Sequence, residues 1–182
     1  MQELSLNILD IAQNSITAQA TIIQITVEVR DDRFLIITVA DNGKGMSQEM
    51  VENVTNPFCT SRTTRKVGLG VPFFKQAAED TKGSFSIRSV LGQGTTTTAS
   101  FDTEHIDFIP LGAVWDTVGI LIQMNENVDF VYSVIKDGEQ FVCDTRELKV
   151  IMEGQSLTDL AVVQFIKEYV KENQMEILKR SY

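Results

Sequence analysis

The chain has 182 residues, 43% of them hydrophobic, and a formal charge of −9 from 16 basic and 25 acidic residues. That length suits one domain with a real core plus a smaller addition. The acidic balance excludes a basic face of the kind nucleic acid requires, and no apolar run reaches the roughly 18 residues of a membrane span. With Cys59 and Cys143 far apart and no leader ahead of the first helical segment, both thiols are expected free in a reducing cytoplasm.

Residues 3–18 predict a helix that is apolar on most sides through Leu4, Ile8, Leu9, Ile11, Ala12 and Ile16. Asn7, Asp10, Asn14 and Thr17 fall on one face of it. An ordinary wet face would carry lysine and glutamate, yet neither occurs between Glu3 and Glu28. Short carboxamides and carboxylates take their place, and such oxygens suit a hard cation. Two strands follow, the second an apolar β-branched run over 34–39. At its end stands Asp41-Asn42-Gly43-Lys44-Gly45-Met46, an acid and two glycines where backbone must lie close to a flat ligand.

A short helix is expected over 47–55, then a loop rich in hydroxyls and cations. Thr60, Arg62, Arg65 and Lys66 lead to Gly68-Leu69-Gly70-Val71-Pro72, where a helix over 71–80 begins. Free amides at a helix start, with the dipole behind them, favour an anion, and Pro72 fits the first turn. Strands over 84–90 and 95–101 flank the tight connection Gly92-Gln93-Gly94-Thr95.

These four segments, in this order over about residues 1–103, resemble the GHKL superfamily of ATP-binding domains, which includes gyrase, heat-shock chaperone, histidine-kinase and mismatch-repair ATPases. The stretch from Asp10 through Asn14 to Ala18 reads closest to the mismatch-repair branch. Gly68-Leu69-Gly70, the stretch Gly83-x-Phe85-x-Ile87-x-Ser89 and Gly92-x-Gly94-Thr95 read closest to the histidine kinases. The resemblance implies a two-layer α/β sandwich of the Bergerat type, a mixed sheet with helices on one face. It also implies ATP and Mg²⁺ as ligands.

By that resemblance Asp41 receives the exocyclic amine of adenine, Thr95 holds a water or the purine beside it, and Gly43, Gly45 and Met46 form the adenine box. Asn14 gives its carboxamide oxygen to Mg²⁺. The amides of Gly68, Leu69, Gly70 and Val71, with Thr60 and Lys66, cradle phosphates. Asp10 aligns with the residue that activates water. The hydrolysing branches have glutamate there, and aspartate is one methylene shorter, which predicts slow hydrolysis. Pro72 after the glycines also departs from the pattern. The single histidine, His105, lies outside any helical acceptor motif. Any phosphate transfer would therefore be to another protein.

Residues 104–182 are expected to form a small α/β appendage. After a connector over 104–115, strands are predicted at 117–124, 128–135 and 140–143, the last following the hairpin signal Lys136-Asp137-Gly138. A long helix over 158–178 carries Leu160, Val163, Ile166 and Val170 on one side, to pack on those strands or to receive a partner. Two function classes remain: a kinase-like subunit acting in trans, and an ATP-gated switch reset by slow hydrolysis. A slow ATPase closing as a dimer clamp is the alternative. The partner is an unidentified protein, reached through the appendage or through the loop over 56–68, with oligomeric state open.

Overall fold

The computed structural model describes residues 3–55, 69–179 and 182. Among the described residues six strands form one mixed sheet: β1 (Ile22–Arg30), β2 (Phe34–Asp41), β3 (Ser84–Val90), β4 (Gly94–Asp102), β5 (Asp129–Lys136) and β6 (Glu139–Asp144), in the order β3-β4-β2-β1-β5-β6. All neighbouring pairs are antiparallel except β1 and β5. The described residues also form six helices: α1 (Leu4–Thr17), α2 (Gln48–Val54), α3 (Gly70–Asp80), α4 (Val114–Met124), α5 (Thr145–Ile151) and α6 (Leu160–Leu178). Among the described residues no helix is long and apolar enough to cross a membrane.

Alternation along the strands explains why this is a two-layer sandwich. Ile23, Ile25, Val27 and Val29 on β1, and Leu35, Ile37 and Val39 on β2, are all buried. The residues between them point to the other, wetter face, as a period of two requires. Helices α3, α1, α4 and α6 lie against the apolar face, α1 touching both α3 and α4, and α4 packing on α6. Under α3 the core closes with Phe74, whose ring stands edge-on to Phe85 at 6.4 Å and tilted to Phe101 at 5.6 Å. Fully burying one such side chain is worth about 1.5–3 kcal/mol, and Val71, Ala77 and Ala78 of α3 are buried beside it.

The predicted helices and strands of the first hundred residues are all present. Ser47 caps α2 by accepting the Met50 amide at 3.3 Å. Beyond that region one prediction fails: 117–124 is not a strand but most of α4. Val114, Val118, Leu121 and Ile122 are its buried positions, a helical spacing. Gly119, which reads as a helix breaker, is there because the Lys167 stem crosses α4 so closely that a Cβ would collide with it.

The other C-terminal elements agree with prediction, apart from α5, which was not foreseen. Asp137 and Gly138 both have positive φ, 53° and 82°, as a two-residue primed turn between β5 and β6 demands. Val163, Ile166 and Val170 of α6 are buried, but Leu160 is 74% exposed. Inside, Tyr132 donates its hydroxyl to Gln174 Oε1 at 2.6 Å, tying β5 to α6. Residues 104–182 thus extend the sheet on the β1 side, Ile23, Ile25 and Val27 lying in register with Phe130, Tyr132 and Val134.

At the far end of the sheet, Arg33 donates to both carboxylate oxygens of Asp102, at 3.0 and 2.6 Å. The Arg33 guanidinium holds the Asp102 carboxyl below its ordinary value of 3.8. A depressed folded value means that the contribution is present above the ordinary carboxyl pKa and is lost as pH falls through the folded one. Melting temperatures measured on acidification should therefore fall less steeply for Asp102→Asn than for the parent protein.

Candidate functional site

The site forms at one end of the sheet, where β2 finishes beside the start of β4 and the gap between α1 and α3 lies above. Asp41 is the last residue of β2 and pairs directly with Thr95. Two groups hold its carboxylate. Ser15 of α1 donates to Oδ2 at 2.7 Å, and the Gly43 amide donates to Oδ1 at 2.8 Å. Asp41 remains half-buried rather than sealed, so its oxygens have lone pairs left for a ligand donor.

The glycines are present for lack of space. Gly94 has φ of 114°, and a Cβ there would run into the Asp41 carbonyl. Gly45, at φ 64°, would meet the carbonyl of Val90 in the same way. A side chain on Gly43 would come within 2.8 Å of the Ala18 carbonyl, which accepts the Lys44 amide at 2.9 Å. The end of α1 therefore rests directly on the turn after β2. Beside it, Met46 donates its amide to Ser89 Oγ at 2.8 Å, and Ser89 is also 2.8 Å from the Thr95 hydroxyl. Asn42 turns away and clasps β1, its Oδ1 accepting the amides of Thr21 and Ile22 at 2.9 and 3.0 Å.

Asp10 and Asn14 are one helical turn apart on α1. Gly70, first residue of α3, lies so near that a Cβ on it would be 2.7 Å from the Cβ of Asp10. Partial burial against α3 raises the Asp10 carboxyl above its ordinary value. By helix geometry the Gly70 and Val71 amides belong to a first turn with no acceptor in its own helix. Pro72 has no amide to offer, and Phe73 donates to the Leu69 carbonyl at 3.0 Å. Leu69 precedes the helix without a side-chain cap and is 49% exposed. The α3 start thus faces the Asp10–Asn14 edge of α1 with its positive dipole end uncapped by a side chain, a setting that attracts an anion.

The structure brings together Asp10 with Gly70, and Asp41 with Gly43, Gly45, Met46 and Thr95. Asn14 lies half-buried between these groups along α1. Thr60, Lys66 and Gly68 lie outside the described residues. The sequence assigns no role to two serines. Ser15 was visible within the Asp10–Ala18 stretch, and Ser89 ends the Gly83-x-Phe85-x-Ile87 stretch. A serine on a helix carries no signal of its own until the strand beneath it is placed.

A mixed sheet with helices on one face, an acid at the end of a central strand and a glycine-lined helix start opposite it defines a nucleotide-binding sandwich. Residues 1–105 match the family described as Histidine kinase-, DNA gyrase B-, and HSP90-like ATPase, and the chain belongs to that family. It is similar to sporulation kinase D of Bacillus subtilis (strain 168), 35% identical over 92 residues, which cover 50% of this chain and 18% of that protein. It is also similar to the sensor histidine kinase ZraS of Salmonella typhi, 32% identical over 101 residues, 54% of this chain and 21% of that one. The chain thus spans about a fifth of the length of these relatives. The N-terminal domain of a DNA repair protein shares the fold at a TM-score of 0.55 and 14% identity, over 78% of this chain and 52% of that one.

Substitution of Gly94 tests the close approach. Gly94→Ala should lower the melting temperature markedly, because φ of 114° and the Asp41 carbonyl both oppose a Cβ. Gly92→Ala, where nothing lies within 4 Å, should cost much less despite its φ of 77°. Comparing the two variants by thermal unfolding checks this directly.

Proposed function

We propose that the protein is an Mg-ATP-dependent regulatory module, a nucleotide-gated switch with slow hydrolysis whose state is read by a partner protein. The observation that carries this reading is the Asp41 carboxylate, fixed by Ser15 and Gly43 at the strand end with Thr95 alongside. An acceptor-only group so placed suits the amine edge of adenine. The close backbone approaches at Gly43, Gly45 and Gly94 pack the chain around that carboxylate and fix its direction.

The residues present also fit Mg²⁺ and phosphate. Mg²⁺ keeps several waters and takes one or two protein oxygens, and the Asn14 carboxamide, one turn beyond Asp10, supplies such an oxygen. When bound, the ion would neutralise charge on the phosphates. The amides of Gly70 and Val71 would hold phosphate oxygens at the helix start. Asp10 would hold an attacking water as a base, and its raised pKa improves proton acceptance. Its shorter arm limits reach, and positioning dominates phosphoryl-transfer rates.

A second reading is a kinase-like subunit that phosphorylates a partner. The Gly68-Leu69-Gly70 sequence and the named kinases among its relatives favour it. Under either reading the partner would engage the C-terminal strands and helices or residues 56–68.

Base selectivity is the direct test. ATP and ADP should bind far more tightly than GTP in calorimetric titrations, because guanine presents an acceptor where adenine presents its amine. Asp41→Asn should relax that preference. Equal affinities in the parent protein would remove the adenine assignment.

Turnover by the isolated protein should fall well below the ordinary enzyme range of about 1–10³ per second. Asp10→Glu should raise it with ATP affinity nearly unchanged, and Asp10→Asn should abolish it with binding retained. Steady-state phosphate release, paired with nucleotide titration, separates loss of chemistry from loss of binding.

A further inference from the structure

Away from the Asp41 site, a cavity of about 250 Å³ opens where the end of α4, the start of β5, α5 and the loop over 152–159 meet. The loop is tied across it, since Ser156 donates to Glu126 Oε1 at 3.2 Å and shares a 2.7 Å contact with the Thr158 hydroxyl. Its volume is far above the roughly 30 Å³ occupied by one water and below the usual range of about 300–1,000 Å³ for larger ligands. A single small metabolite is the right size for it.

Its walls carry three kinds of chemistry. Ile122 and Leu157 are buried apolar residues with surfaces on the cavity. The α4–β5 turn brings acceptors. Asn125 uses its Nδ2 on the Leu121 carbonyl at 2.8 Å, which leaves Oδ1 over, and Glu126 is a carboxylate. From α5 comes a donor, the Lys149 ammonium, 2.7 Å from Asp129 Oδ1 and with a side chain 43% exposed. An ammonium has three donors; its ion pair with Asp129 uses one and leaves two, so a ligand carboxylate would share the ammonium with Asp129.

We infer that the cavity is a second ligand site, for a zwitterionic α-amino acid with a short apolar side chain. Its carboxylate pairs with Lys149, its ammonium with Glu126 and the Asn125 carboxamide oxygen, and its side chain lies on Ile122 and Leu157. The two charged poles come from different elements, α5 and the α4–β5 turn, so a molecule with only one charge satisfies only one wall.

The test is thermal unfolding of the full chain with each common amino acid at millimolar concentration, since a ligand that binds only the folded state raises the melting temperature. One or more of the small apolar amino acids should raise it, and their N-acetylated or amidated forms should not. Lys149→Met and Glu126→Gln should each remove the rise while melting near the parent temperature without ligand. No rise with any amino acid, an equal rise with capped forms, or a rise that survives both substitutions would overturn the assignment.

Discussion

The candidate site depends on a backbone contact too close for any side chain. Gly94 lies against the Asp41 carbonyl at the last paired position of β2 and β4. That contact fixes where β2 ends, and so where the Asp41 carboxylate is released from the sheet. Everything nearby adjusts to it: Gly43 turns back to donate to the same carboxylate, Gly45 passes under Val90, and Ser89 bridges Met46 and Thr95. A carboxylate on a flexible loop would give no such fixed direction to its lone pairs, and base recognition relies on direction.

Helix α1 serves two layers at once. Leu4, Ile8, Ile11 and Ala12 are buried in the core, while Asp10 meets the start of α3 and Ser15 the end of β2. Core packing thereby sets the position of the polar groups. This is why the absence of lysine and glutamate along α1 was informative. Long charged side chains would have filled the gap in which Gly70 meets Asp10.

Most of the site could be read from the sequence because its parts are local. An acid at a strand end, glycines at fixed offsets and a proline in a first helical turn each have a backbone reason visible within a few residues. What escaped was set by distant partners. Ser15 and Ser89 acquire roles only through strands and turns far away in sequence. The run Val118-Gly119-Ile120-Leu121-Ile122 has a strand-like composition, and its packing on α1 and α6, with Lys167 over Gly119, goes with a helix instead. The parallel pairing of β5 with β1 likewise has no local signature, since it joins segments separated by most of the chain.

That parallel pairing bears on how the chain must be produced. Residues 1–105 match the family, yet within them β1 is hydrogen-bonded on one side only, to β2. Its other side stays open until residues 129–136 have left the ribosome and docked. During synthesis the nascent N-terminal part therefore carries a bare strand rich in isoleucine and valine, the sort of edge that recruits strands from neighbouring molecules. A shortened version ending at residue 105 would keep that edge permanently. Closing it brings together residues more than a hundred positions apart, a long-range step of the kind that slows folding. The C-terminal strands thus cover an edge of the N-terminal half that would otherwise lie bare.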